Sequence, residues 1–327
     1  MYNSKLFCSK RNPLDIPFKD SEKFTLKLIF PKYWLTWIVI LFSFPLSLFP
    51  RKMRDLLGKS LGLVIYFLNS KRRNIVFTNL SLCFKEKSET ELEAISKDYF
   101  QNLGKSFLDM SILWWKSSQS LRGMTKIENK DILEKALKNN RGVILLTLHS
   151  TSLDFGGRSI SNYPVISMYK PFRNELINWL VGKSRCKHDD NAVIFPREKF
   201  PFKKVVSQLK KPNIFYYIGD EDLDSKETCF ADFFDDRKST LTSVRKIVQL
   251  SNCLVIPCVN NYCSKSNTYI TYLGRPLENF PTESEDSDTR LINKCFEELI
   301  LRNPSQYMWS LRIFQNRESG SEYPYKD

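Results

Sequence analysis

The sequence predicts an α/β fold, a mainly parallel sheet with helices on both faces, to which an N-terminal membrane helix is added. Three observations carry this expectation. From about residue 143 onward, short β-branched runs alternate with amphipathic segments, the pattern of a wound sheet. The run Val143 to Leu148 has the length of a buried strand and stops abruptly at His149. Near the N-terminus, Tyr33 to Pro50 contains no charged residue, while Lys27, Lys32, Arg51 and Lys52 bracket it.

Taken in order, that uncharged run would reach roughly 27 Å as a helix, near the thickness of a bilayer core. Tyr33, Trp34 and Trp37 sit at one end as interfacial aromatics do, and Pro45 predicts a kink or a re-entrant path. Residues 1–52 therefore form an expected anchor segment, and 53–327 an expected catalytic domain whose membrane-proximal part, 53–125, is helical. Met53 to about Asn69 carries an apolar stripe, followed by the basic cluster Lys71-Arg72-Arg73. Ser88 with Glu91 reads as a capping box that opens a long helix towards Trp114-Trp115. Asn129 caps a further helix that ends near Gly142. Strands are then expected at Val143–Leu148, Val165–Tyr169, Ala192–Phe195, Asn213–Ile218, Leu254–Val259, Tyr269–Leu273 and Met308–Ile313. Helices are expected at Glu175–Lys183, Phe202–Lys210, Ser243–Leu250 and Thr289–Arg302.

The chain has 327 residues and a formal net charge of +14. Such an excess calls for an anionic partner: nucleic acid, anionic lipid headgroups or an acidic carrier protein. Nucleic acid is disfavoured, because the chain has no zinc-finger spacing, no RNP-like aromatic motif and no basic heptads. The eight cysteines lack CxxC pairs, and Cys253, Cys258 and Cys263 have no accompanying histidine. Reduced thiols in a reducing compartment are expected, with no metal site. No secretory signal peptide is expected, since the apolar stretch begins late and lacks a small-residue cleavage site.

His149 lies at the carboxyl end of its strand, where open α/β sheets place their ligands. Asp154 follows five residues later, a spacing that suits a tight turn leading into a helix. A carboxylate there can take one ring N–H and leave the other nitrogen as a base, the minimum apparatus for deprotonating a hydroxyl. A merely satisfied polar pair is the plainer alternative. The second histidine, His188, falls in a polar loop and reads as solvated surface. Two further groups stand at strand ends: Lys170 and Arg173, with Arg185 one helix later, and Asp220-Glu221-Asp222.

In this order these elements resemble the late acyltransferases of lipid A biosynthesis, the lauroyl/myristoyl transferase family. The resemblance runs from Pro31-Lys32-Tyr33-Trp34 almost to the end. It takes in Arg73-Asn74, Asn79 to Phe84, the HX4D/E motif at His149 and Asp154 with Phe155-Gly156, and Tyr169-Lys170-Pro171. It continues through Asp220-Glu221-Asp222, Phe233-Phe234 with Ser239-Thr240, and Gln306-Tyr307-Met308-Trp309 followed by Arg312, Arg317 and Gly320. The chain departs from the pattern at Asp154, where glutamate is common, at Lys170, where arginine is usual, and at Asp235-Asp236-Arg237-Lys238, which replaces a small Gly/Ala-containing stretch.

The resemblance implies a fold similar to glycerolipid acyltransferases and an enzyme of the bacterial inner (cytoplasmic) membrane facing the cytoplasm. It would move a fatty acyl chain from acyl carrier protein to a hydroxyl of a phosphorylated lipid A precursor, an anionic lipid acceptor. His149 would act as base and Asp154 would orient it. Lys170, Arg173 and Arg185 would grip phosphate or sugar-acid groups or the thioester oxygen, and Asp220 and Asp222 would position acceptor hydroxyls or those cations. Neither cofactor nor metal is implied. Competing readings are an acyltransferase for a lysophospholipid or glycolipid, a thioesterase, and a non-catalytic protein that binds anionic lipid.

Overall fold

The computed structural model describes residues 24–186, 192–225 and 227–325. Four long helices precede the sheet: α1 (Trp34–Leu48), α2 (Arg51–Leu68), α3 (Ser70–Cys83) and α4 (Glu89–Trp115). The expected capping box opens α4, with the Ser88 amide donating to Glu91 Oε2 at 2.9 Å. Helices α2 and α4 cross in backbone contact, since a Cβ on Gly104 would stand 2.2 Å from the carbonyl oxygen of Gly58. The short α5 (Ser118–Arg122) then leads to the first strand, β1 (Thr125–Glu128).

The remaining elements alternate. They are α6 (Lys130–Lys138), β2 (Val143–Thr147), α7 (Leu153–Ser159), β3 (Val165–Tyr169), α8 (Glu175–Cys186), β4 (Val193–Pro196), α9 (Phe202–Leu209) and β5 (Ile214–Ile218). Then come β6 (Thr228–Phe233), β7 (Asp236–Leu241), α10 (Ser243–Ser251), β8 (Leu254–Cys263), β9 (Thr268–Leu273) and α11 (Glu285–Leu301). Seven strands form one sheet in the order β1-β9-β8-β2-β5-β3-β4. Strands β8, β2, β5, β3 and β4 run parallel, while β9 pairs antiparallel to β8 and β1 follows β9.

Both faces of the sheet are covered, as its alternation requires. Ile144 and Leu146 of β2 point into one apolar cluster with Val205 of α9, Val248 of α10 and Phe296 of α11. Val143 and Leu145 point into another with Leu133 and Leu137 of α6. The central strand is buried along its whole length, so its residues read as a continuous apolar run rather than an alternating one.

Several expectations fail for physical reasons. The apolar run at 33–50 does not make a spanning helix, and among the described residues no helix is long and apolar enough to cross a membrane. Helix α1 has 15 residues, about 22 Å at the α-helical rise, and breaks at Phe49-Pro50, where α2 begins. Asn129 precedes α6 in the left-handed conformation (φ 58°) and gives the helix no side-chain cap. Its amide donates instead to the carbonyl of Leu273 at 2.9 Å. Met308–Ile313 forms no strand; a single bridge between Ser150 and Tyr307 joins this segment to the sheet region. The stretch around Phe233-Phe234 forms an antiparallel hairpin of β6 with β7, which turns at Phe234 (φ 52°). His188 lies outside the described residues.

Candidate active site

Register builds the site. In the parallel pair β2–β5, Thr147 stands opposite Ile218. Two residues further along each strand, His149 and Asp220 emerge side by side although 71 positions separate them. Asp220 grips the histidine twice: Oδ2 accepts the His149 backbone N–H at 2.9 Å, and Oδ1 lies 2.7 Å from Nδ1. With Nδ1–H donating to the carboxylate, Nε2 is left as an acceptor.

The segment after α11 locks this turn. The Met308 amide donates to the carbonyl of His149 at 3.0 Å, and the Thr151 amide to the carbonyl of Gln306 at 2.9 Å. Ser150 Oγ donates to the carbonyl of Asn260 on β8 at 2.6 Å. Gly156 in α7 passes so close to Asn260 that a Cβ would stand 1.9 Å from its Oδ1, which explains the glycine after Phe155.

Burial and charge act against each other at this pair. Burial alone pulls the His149 imidazole down, but the Asp220 charge and hydrogen bond, with Glu221 behind them, hold it above its ordinary value of 6.5. Burial pushes Asp220 up, yet the His149 charge and hydrogen bonds hold it below its ordinary 3.8. Glu221 Oε1 stands 3.7 Å from Nε2, too far for a hydrogen bond, and its other oxygen is held by Arg197 at 2.5 Å.

Asp154, at the start of α7, does not orient the histidine in this structure. Its Oδ1 accepts from Arg185 Nε at 2.9 Å and Nη2 at 2.7 Å, so the partner comes from the last turn of α8. A cavity of about 100 Å³ lies beside this pair, and Asp154 and Arg185 are part of its wall. The wall is otherwise largely apolar, with Met110 and Trp114 of α4, Leu153 and Gly157 of α7, Val165 of β3 and Val181 of α8.

The remaining expected residues divide. Lys170 and Arg173 are exposed beyond β3, and among the described residues neither forms an ion pair. Asp222 is turned away, with Oδ2 taking the Asn316 amide and Oδ1 its side-chain nitrogen, each at 2.7 Å. Burial pushes Asp222 above its ordinary value despite those bonds. Glu221 and Arg197 were not expected from sequence to face the histidine. Arg197 follows the end of β4, so the strand-end rule that singles out His149 also points to it.

The site thus combines a carboxylate-held histidine at the end of β2 with a carboxylate–arginine pair at the wall of a largely apolar cavity. Residues 21–316 match the profile of the bacterial lipid A biosynthesis acyltransferase family, and the chain belongs to that family. It is an acyltransferase. It is 27% identical over 305 residues to the lipid A biosynthesis palmitoleoyltransferase of Escherichia coli, covering 93% of this chain and 98% of that one. Lipid A biosynthesis acyltransferase 2 of Shigella flexneri is 29% identical over 307 residues, covering 93% and 96%. An acyltransferase of the same pathway from Haemophilus influenzae is 28% identical over 301 residues, covering 91% and 93%. The crystal structure of the 1-acyl-sn-glycerophosphate acyltransferase PlsC from Thermotoga maritima aligns with 77% of this chain and 97% of that one. Its identity is 12% and its TM-score 0.34, a likeness that carries no argument.

Proposed function

We propose that this acyltransferase moves a fatty acyl chain from an acyl carrier protein thioester to a hydroxyl of a phosphorylated lipid A precursor, with His149 as general base. The observation that carries the reading is the Asp220-held imidazole, whose Nδ1 lies 2.7 Å from the carboxylate and whose Nε2 is left to accept a proton. Nε2 removes the acceptor proton as the hydroxyl oxygen attacks the thioester carbonyl carbon. The tetrahedral intermediate then collapses, the carbon–sulfur bond breaks, and the proton on Nε2 passes to the departing thiolate. An ester and a free thiol result, and the histidine returns to its neutral form. Asp220 supports the ring through both protonation states, the orienting role expected of Asp154.

Asp154 acts by holding Arg185 at the wall of the apolar cavity. That cavity suits the first methylenes of an acyl chain, and Arg185 beside it suits charge developing on the thioester oxygen. Lys170 and Arg173, exposed and without ion-pair partners among the described residues, suit the phosphates of the acceptor.

The protein sits on the cytoplasmic face of the inner membrane through α1 and α2. Helix α1 is inside out: Ile40, Ser43 and Ser47 are buried, while Leu35 is 75% and Phe42 70% exposed. Its serines bond inward, with Trp115 Nε1 donating to Ser43 Oγ at 2.7 Å. Leu56, Phe67 and Leu68 of α2 extend the apolar face, and the exposed Lys27, Lys32, Lys52 and Lys59 flank it. An apolar patch rimmed by cations describes a helix pair lying in the headgroup region.

The decisive assay supplies purified protein with an acyl carrier thioester and, separately, a lipid A precursor, a lysophospholipid or no acceptor. Acylated lipid A precursor as the dominant product supports the reading. Transfer confined to lysophospholipid overturns the acceptor, and free fatty acid at the same rate without acceptor identifies a thioesterase.

A further inference from the structure

The apolar cavity has a polar counterpart on the other side of the catalytic turn. An open bowl of about 690 Å³ is walled by α4, the ends of β1 and β8, β9 and the segment after α11. Three cations line it, Lys105, Lys265 and Arg302, against one acid, Glu128. Little of that charge is taken up within the fold. Lys105 is half-buried, its Nζ donates to Asn102 Oδ1 at 3.2 Å, and among the described residues no carboxylate forms an ion pair with it. The Asp55 charge on α2 reaches it, but that carboxylate is bound to Arg51 at 2.7 Å. The Arg302 guanidinium lies 3.5 Å from the centre of the Tyr272 ring and 4.0 Å from Glu128, beyond hydrogen-bond reach. Lys265 is exposed and has no ion-pair partner among the described residues.

The wall of the bowl is held in place. Asn102 Nδ2 donates to the Ser305 carbonyl at 3.2 Å and to its hydroxyl at 3.0 Å. Gln306 clamps the backbone of Tyr262, accepting its N–H at 2.7 Å and donating to its carbonyl at 2.8 Å. A narrow space continues inward, with Asn102, Lys105, Tyr262 and Gln306 common to both, and reaches Thr151 and Ser152 of the catalytic turn. Helix α4 links the parts: Lys105 faces the bowl, Ser106 donates to the Thr151 carbonyl, and Met110 lines the apolar cavity. Lys105 and Met110 are about 7.5 Å apart along the helix axis. In the sheet, β8, β9 and β1 lie on one side of β2, and β3 with Lys170 beyond it lies on the other.

A half-buried ammonium without a counter-ion carries a desolvation cost that an arriving anion offsets. Cations for an anion, surrounded by amides and hydroxyls, match a phosphorylated sugar rather than a bare hydrocarbon. We propose that the bowl is an anion subsite for a phosphorylated sugar at one end of the acceptor headgroup, across His149 from Lys170 and Arg173. The proposal rests on the acyl-transfer reading above and adds a place where the acceptor is held. Bound there, the headgroup lies along α4 beside the catalytic turn, with the acyl cavity at the turn's far side.

The test uses full-length protein in detergent micelles, a fixed acyl carrier thioester and varied lipid A precursor, intact or dephosphorylated. Arg302→Gln combined with Lys265→Gln alters two exposed side chains, and Lys105→Gln alters the half-buried one. Each should raise KM for the intact precursor about tenfold, the lower range for a charge-assisted hydrogen bond, with kcat unchanged. On dephosphorylated precursor the variants should match wild type. Lys138→Gln, in the last turn of α6 before β2 begins, removes the same charge far from the bowl and should change nothing. An unmoved KM overturns the proposal, as does an equal rise on dephosphorylated precursor, which would mark a structural effect. Binding is read separately in His149→Ala protein, where the same variants should lose affinity for labelled precursor. Precursor that binds through these cations but is never acylated would keep the subsite and remove the acyl-transfer reading. Inorganic phosphate displacing the precursor at equal concentration would make a free ion the ligand. Weakened binding to phosphatidylglycerol vesicles with an unchanged precursor KM would make the bowl a general headgroup contact. Either result overturns the proposal.

Discussion

Two carboxylates flank the end of β2, and they differ in every respect that sequence distance would not predict. Asp154 is five residues from His149, yet its carboxylate is bound to Arg185 and its side chain is 29% exposed. Asp220 is 71 residues away, 1% exposed, and holds both the backbone and the ring of His149. Adjacent parallel strands bring equivalent positions together whatever lies between them in the chain, whereas a five-residue step turns the chain into a new helix that points elsewhere. The site therefore has a dry half built by sheet register and a wetter half built by α7 and α8. In the proposed mechanism the dry half handles the proton. The wetter half lines the apolar cavity.

The largest effects should break the dry half. His149→Ala should cut kcat by 10²–10⁴-fold, the usual contribution of a general base, while membrane association and the circular dichroism spectrum stay unchanged. Activity within about tenfold of wild type would remove the base. Asp220→Asn should be of comparable severity, since removing the charge of an orienting acid costs up to about 10⁴-fold in a related arrangement. It should also leave a signature in pH. Asp220 raises the His149 value, and the base works only when neutral, so wild-type activity should rise with pH through a limb above 6.5. In Asp220→Asn the residual activity should keep its limb at lower pH, because the charge that raised the ring is gone. A limb that moves upward, or stays in place, contradicts the pairing.

Comparison of the two halves also shows what the sequence can and cannot disclose. The strand ends at His149 and Asp220 were both legible, because apolar runs followed by polar residues mark them. Their adjacency was not, since strand order depends on which helices pack on which face. The spacing of His149 and Asp154 is conspicuous in the sequence, but Arg185 outcompetes the imidazole for that carboxylate through a two-donor contact. The Met308–Ile313 segment has strand-like residues but buries Trp309 and Ile313 against the main core without a ladder. An uncharged run of that length suggests a spanning or re-entrant helix, but the break at Phe49-Pro50 makes α1 a short helix with its apolar side outward. Strand β7 opens with three charged residues in a row, Asp236, Arg237 and Lys238, so its sequence hides a strand in which Lys238, Ser239 and Thr240 are buried.

The smallest effects should sharpen the contrast. Asp154→Asn removes the charge that holds Arg185 and leaves the proton-handling pair intact. Its kcat/KM should fall by about ten- to a hundredfold, the range for one charge-assisted hydrogen bond, with the acidic limb where wild type has it. Thermal or denaturant unfolding in detergent completes the test. The Asp154–Arg185 pair is 29% and 28% exposed, and partly exposed ion pairs contribute about 0–1 kcal/mol. Asp154→Asn should therefore unfold within about 1 kcal/mol of wild type. Asp220→Asn leaves buried donors facing an uncharged amide and should cost about 1–3 kcal/mol. Equal losses would mean that the two carboxylates are built into the fold to the same depth, and the division of the site into a dry and a wetter half would fail.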